Sequence, residues 1–365
     1  MIDSTLSPSD LPEKVRAWLA AAVERGASDL HLVVGHPPTL RLNGDLVELA
    51  EGPLAPAEAR DLLTALCPAD GLAHFRASKG VDFSLEVAHE GRASRFRVNL
   101  FHVGGQVGAC LRLVPNVIPD FGWTGFPEDM ARRLCRVNDG LIIVTGPAGS
   151  GKTTTLAMIV NLLNEKGGYR IITVEEPVEY LYPRVANSVV TQREVGRDVL
   201  NFADGLRSGL RQDPDVILVG EIRDQETAQI ALSAAETGHL VFSTLHTRDA
   251  KGAVTRYADL FPQEAQRDVR AQLALSLRAV VAQRLLPDLL PGEKRHLALE
   301  VLWNTYPIAA AIRTGKVESI DNYLLTGRNE GMVSFDESVR LLLRDGKISR
   351  EVAEQNVRDL THLQR

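Results

Sequence analysis

The segment Leu141–Thr153, LIIVTGPAGSGKT, constrains this chain more than any other. Leu141–Thr145 reads as a buried strand, and a Gly-rich turn leads into a helix from Lys152 to about Lys166. Gly146–Thr153 fits the spacing G-x-x-x-x-G-K-[ST], in the strand-then-helix context that such a match needs. Glycines let backbone N–H groups turn inward around a phosphate, and a helix N-terminus adds partial positive charge. The expected nucleotide-binding residues are therefore Gly146, Pro147, Ala148, Gly149, Ser150, Gly151, Lys152, Thr153 and Thr154. Lys152 is expected to reach the β- and γ-phosphates, and the Thr153 hydroxyl to ligate Mg²⁺. The ligand implied is a nucleoside triphosphate such as ATP.

A phosphate loop needs acidic partners for metal and water. Glu175 and Glu176 follow the expected strand Arg170–Val174. A further candidate comes after the apolar strand Val216–Val219, where Gly220 precedes Glu221. Many P-loop proteins carry Asp at the position of Gly220, so the metal-side role falls to Glu221. In an open α/β sheet, ligands bind at the C-terminal edge of the strands, which is where these acids emerge. His239 and His246 flank a further apolar strand, Leu240–Thr244. A histidine after that strand could bond a γ-phosphate, whereas a satisfied structural histidine is the commoner outcome.

Ahead of this region the chain reads as a small α+β domain over 1–114. A helix is expected over Pro12–Arg25 and another over Ala55–Leu66. Strands are expected at Leu30–Val34, Thr39–Leu42, Val81–Val87, Phe96–Phe101 and Val107–Leu113, with turns at Asn43-Gly44, Glu90-Gly91 and Gly104-Gly105. Arg97 and Arg112 lie on two of these strands. Solvation is the usual fate of arginine; the sharper alternative is an arginine finger that neutralises charge on a transferring phosphoryl group. A Pro-, Gly- and aromatic-rich stretch opens the expected linker, 115–138, and 139–365 forms an α/β domain. From Gln263 onward the sequence reads as mostly helical, with breaks at Pro287, Pro291-Gly292, Gly315 and Gly346.

Composition excludes several classes. With 44% hydrophobic and 24% charged residues the chain can build sizeable cores, so disordered, collagen-like and coiled-coil readings fall away. Against 41 Lys+Arg stand 47 Asp+Glu, a net charge of −6, which weighs against a nucleic-acid partner. Cys67, Cys110 and Cys135 form no CxxC pair and read as reduced thiols of a cytosolic protein. No apolar run approaches the ~18–20 residues of a membrane span, and the first residues lack the pattern of a signal peptide.

The chain resembles the secretion and pilus-motor ATPase superfamily, in particular the PilT-like retraction ATPases of type IV pili. The resemblance runs through ASDLHL, FRVNLF, the Gly-rich loop, EEP, TQREVG, LRQDPDVILVGEIRDQETA and AAETGHLVFSTLHT, and on into FPQEAQRDVRAQLALSL and EGMVSFDESV. It implies a PAS-like N-terminal domain and a RecA-like P-loop ATPase domain assembled into a homohexamer. It further implies that Glu175 polarises the attacking water, that Glu221 is the Walker B acid, and that His239 and His246 form a histidine box. Arg97 and Arg112 match arginines that reach the nucleotide from the N-terminal domain. The implied partners are an inner-membrane platform protein of the PilC type and a second PilT-like ATPase. The implied location is cytoplasmic, peripheral at the inner membrane.

Two departures bear on the branch. The four-cysteine zinc element usual in extension and type II secretion relatives is not in this sequence, which favours retraction over extension. The AIRNL motif of retraction ATPases reads Pro307-Ile308-Ala309-Ala310-Ala311 here, which leaves an accessory, PilU-like motor as the alternative. An extension or secretion ATPase, a DNA-translocating motor and an ATP-binding regulatory subunit are the remaining rivals.

Overall fold

A computed structural model describes residues 2–3, 11–42, 44–89, 92–114, 117–289 and 294–363. The chain divides into two compact units, 1–117 and 118–365. The expected turn at Glu90-Gly91, the break at Pro291-Gly292, Asn43, and the first two residues of the expected linker lie outside the described residues.

In the first unit the strands are β1 (Ile2–Asp3), β2 (Asp29–Leu32), β3 (Thr39–Leu42), β4 (Asp45–Glu48), β5 (Gly80–His89), β6 (Arg92–Val103) and β7 (Gln106–Val114). They form one sheet in the order β1-β5-β6-β7-β2-β3-β4, antiparallel except where β1 meets β5. Along β6 the side chains alternate: Phe96, Val98 and Leu100 are buried, while Arg97 and Asn99 face outward. That period of two is the mark of a sheet with one covered face. Helices Glu13–Glu24, Pro56–Thr64 and Ala69–Ser78 supply the cover, with Trp18, Leu19 and Leu63 in the same core as Phe83 and Leu111.

The second unit holds β8 (Gly140–Thr145), β9 (Arg170–Glu175), β10 (Val189–Glu194), β11 (Val216–Val219), β12 (Leu240–Leu245), β13 (Leu277–Pro287) and β14 (Arg295–Trp303). Their order is β10-β9-β11-β12-β8-β13-β14, parallel except for β14. Every residue of β8, β11 and β12 is buried, as expected for strands with helices on both faces. Helices Lys152–Lys166, Phe202–Gly209 and Gln225–Glu236 connect them. Parallel register brings the C-terminal ends of β8, β9, β11 and β12 to one sheet edge, with Leu245 opposite Thr145 and Val219 opposite Val174.

Two expectations change. The segment 277–303 is a strand pair rather than helix: β13 lies parallel to β8 and β14 returns antiparallel. Helix resumes only at Tyr306–Thr314, and short helices with breaks between them follow to the end of the described chain. The expected linker is also narrower, because helices Phe121–Thr124 and Glu128–Leu134 belong to the second unit. They place Phe126, Ala131, Leu134 and Cys135 in its core. Among the described residues no helix is long and apolar enough to cross a membrane.

Candidate nucleotide site

Gly146 leaves β8 with φ +151°, and Gly149 and Gly151 adopt φ +73° and +84°, conformations that side chains resist. A Cβ on Gly146 would stand 2.3 Å from the Gln283 carbonyl and 2.6 Å from Ser150 Oγ, so the loop is wound tightly where it leaves the sheet. At Gly149 nothing lies within 4 Å, and the backbone there is open to a ligand. Lys152 begins the following helix and is buried at 8% exposure. Its Nζ donates to the carbonyls of Gly146 and Pro147 at 2.9 and 3.1 Å. Burial lowers its pKa, and the charges of Glu221 and Glu179 oppose that shift. Thr153 is half-buried at the helix start, and Thr154 Oγ1 meets Tyr180 OH at 2.9 Å.

Glu221 follows β11 after Gly220, whose Cβ would press to 3.3 Å on the Glu175 backbone. The Glu221 carboxylate meets the guanidinium of Arg223 and, at 3.1 Å, His246 Nε2. Arg223 also donates to Glu176 at 3.0 Å and so joins the two acidic segments. His246 stands just past β12, and its Nδ1 lies 3.5 Å from Lys152 Nζ. Lys152, Glu221 and His246 are thereby brought into one constellation.

Glu175 ends β9 and is buried at 5% exposure. Its Oε1 accepts from Thr173 Oγ1 at 2.6 Å and from Gln192 Nε2 at 3.3 Å. Burial pushes its carboxyl up to about 7; the Thr173 and Gln192 bonds pull it down, and neighbouring Glu179 and Glu194 push it further up. A carboxyl near neutrality is well matched to accept a proton from water at physiological pH. Gln192 also donates to the Tyr180 carbonyl at 2.7 Å and accepts from the Tyr182 N–H at 3.1 Å, pinning the segment after Glu175 to β10.

His239 departs from the expected pair. It precedes β12 and sits at the opposite sheet edge, where its carbonyl accepts from Gly140 N and its Nδ1 lies 3.0 Å from the Ala234 carbonyl. In a parallel sheet, residues on either side of one strand lie at opposite edges, so only His246 reaches the loop.

Arg97 and Arg112 belong to the first unit. They stand directly opposite each other on β6 and β7, on the uncovered face. Arg112 Nε is 2.8 Å from Asp29 Oδ1, and Arg97 Nε is 3.8 Å from Asp82 Oδ1.

Reasoning from sequence missed Arg223, Gln192 and Gln283. The first two lie in segments that carried the resemblance, but no spacing rule gave them a role. Gln283 lies on β13, which had been read as helix.

A buried parallel sheet whose C-terminal edge carries a glycine-wound phosphate loop, a lysine and opposed carboxylates defines a P-loop ATPase domain. The family model described as "Type II/IV secretion system protein" matches residues 7–348, and the chain belongs to that family. It is 40% identical over 340 residues to the type IV pilus retraction ATPase PilT of Pseudomonas aeruginosa, covering 93% of this chain and 97% of the relative. It is 35% identical to the type IV pilus ATPase PilU of the same organism, covering 92% and 86%. Its structure is similar to the crystal structure of the pilus retraction motor PilT with bound ADP. That match has a TM-score of 0.84 at 40% identity and covers 95% of this chain and 97% of the other.

Proposed function

We propose that this chain is an ATP-hydrolysing motor that powers type IV pilus retraction, and that it works as a homohexamer on a membrane platform protein at the cytoplasmic face of the inner membrane. The observation that carries the ATPase reading is the joining of Lys152 and Glu221 through His246 beside the phosphate loop. The likeness to PilT over nearly the whole chain supports retraction as the work done.

In this reading the loop N–H groups and Lys152 hold the phosphates, Lys152 exchanging its carbonyl partners for phosphate oxygens. Thr153 and Glu221 are the residues that would hold Mg²⁺, since a hydroxyl and a carboxylate are the oxygen donors a hard cation takes. The cation would supply neutralisation of phosphate charge. Glu175 orients the attacking water and accepts its proton as the water oxygen bonds to the γ-phosphorus. The bond to the β–γ bridging oxygen breaks, and ADP and phosphate result. Arg97 and Arg112, of the PAS-like first unit, serve as arginine fingers that neutralise charge on the transferring phosphoryl group.

The test is a strain carrying Glu221→Ala in this gene. Lost twitching with accumulated surface pili supports retraction, whereas cells without pili would indicate extension, and normal twitching would refute both. A second reading, an accessory motor, is favoured by Ala309 and Ala310 in the helix Tyr306–Thr314, where retraction ATPases carry Arg and Asn. Deleting this gene while a second PilT-like gene stays intact separates the two: the main motor is needed for all twitching, an accessory one only for part of it.

A further inference from the structure

We propose that Gln283 is a positioning residue for nucleotide binding, holding the phosphate loop in its binding shape from the neighbouring strand. This rests on the reading of Gly146–Thr153 as the nucleotide site. Ala282 of β13 pairs with Thr145 of β8, so Gln283 comes level with the first residue of the loop. Its side chain is buried at 1% exposure, and Nε2 donates to the Ser150 carbonyl at 2.6 Å. Its own carbonyl stands 2.3 Å from where a Cβ on Gly146 would be, and Nε2 stands 3.4 Å from that position on Gly151. One residue therefore bounds the loop at Gly146, Ser150 and Gly151.

The orientation of the amide follows from its partner, because turning it over would set Oε1 against the Ser150 carbonyl. Among the described residues Oε1 itself has no hydrogen-bond partner. A buried amide with one unpaired atom is costly in a strand where an apolar side chain would pack without penalty, so the bond to the loop is what the residue gains. In a trans peptide the C=O and the next N–H point in opposite directions. Drawing the Ser150 carbonyl toward β13 thus turns the Gly151 N–H away from that strand and into the turn, where a phosphate oxygen can accept it. Without Gln283 the loop would spend only part of its time in the competent shape, and apparent affinity would fall by that fraction.

The experiment titrates a fluorescent ADP analogue (mant-ADP) into the full-length protein, with melting temperature measured alongside. Gln283→Met removes the donor but keeps an unbranched side chain of similar length. Its expected affinity is roughly tenfold weaker, with the melting temperature held within a few degrees and kcat at saturating ATP within about threefold. Leu286→Ala, on the same strand but packed against Phe335 and Val339, lowers the melting temperature and leaves affinity unchanged. Should Gln283→Met fail to fold, Gln283→Glu keeps the side-chain shape, replaces the donor by an acceptor, and is expected to lose affinity likewise. Wild-type affinity in either Gln283 variant overturns the proposal, as does an equal loss in Leu286→Ala. A wild-type protein that binds no ADP analogue overturns the nucleotide-site reading, and this proposal with it.

Discussion

His246 Nε2 lies 3.1 Å from Glu221 Oε2 while its Nδ1 lies 3.5 Å from Lys152 Nζ, so one imidazole spans the metal-side acid and the phosphate lysine. A neutral ring that donates from Nε2 presents Nδ1 as an acceptor, which suits both partners. Replacing His246 by Ala removes one of the groups that hold the Glu221 carboxylate. Turnover is expected to fall by ~10–100-fold, the scale of losing a partner that orients a metal-binding group. ADP affinity should stay close to wild type. His239→Ala, at the far sheet edge, should leave ADP affinity unchanged; isothermal titration of both variants checks this.

Glu175 predicts a pH dependence of both activity and stability. As a base it must be ionised, so kcat/KM should fall as pH drops through about 7, the value to which burial raises it. Thr173→Val removes a bond that favours the ionised form and should move that acid limb to higher pH. Folding raises this carboxyl from 4.5 to about 7, so between those values the native protein binds more protons than the unfolded chain. Stability attributable to Glu175 therefore declines as pH rises through that window, by up to about 3 kcal/mol. Glu175→Gln removes this decline. Melting curves should show the variant gaining on wild type from pH 5 to pH 8, and a gap that stays constant would contradict the assignment.

The glycines of the loop differ in a way that mutation can read. Gly146→Ala clashes with both the Gln283 carbonyl and Ser150 Oγ, whereas Gly149→Ala meets nothing within 4 Å. The second substitution bears only the strain of its left-handed backbone, roughly 1–2 kcal/mol. Gly146→Ala should therefore lower the melting temperature more than Gly149→Ala. Thermal denaturation of the two in parallel decides it.

The phosphate loop and its flanking strand and helix were legible because three signals coincide there: an apolar run, a fixed glycine spacing and a helix start. Strands β6 and β7 were legible because their apolar runs are set off by the turn at Gly104-Gly105. The pair β13–β14 was not. Much of β13 is buried on both faces, so LRAVVAQRLL lacks the period of two that separates a strand from a buried helix. The error hid Gln283. The opposite placements of His239 and His246 were implicit in a parallel sheet, but a shared motif grouped them. Arg223 and Gln192 act through contacts between segments distant in sequence, which spacing along the chain does not encode.

Arg97 and Arg112 face each other across β6 and β7, and each is paired with a carboxylate of its own unit. If they serve as arginine fingers, Arg97→Ala or Arg112→Ala should cut turnover by about 10³-fold or more. ADP affinity should change far less, and removing one of two facing charges should leave the melting temperature of Arg97→Ala nearly unchanged. Solvated surface residues would instead leave turnover at the wild-type rate.

Phosphate release by the purified protein, wild type beside Lys152→Ala and Glu175→Gln, tests the central claim most directly. The site described here predicts ATP hydrolysis by the wild type and a loss of about 10²-fold or more in each variant. It also predicts that Glu175→Gln still binds ADP while Lys152→Ala binds it more weakly. Hydrolysis at the wild-type rate in either variant, or none by the wild type, would contradict it.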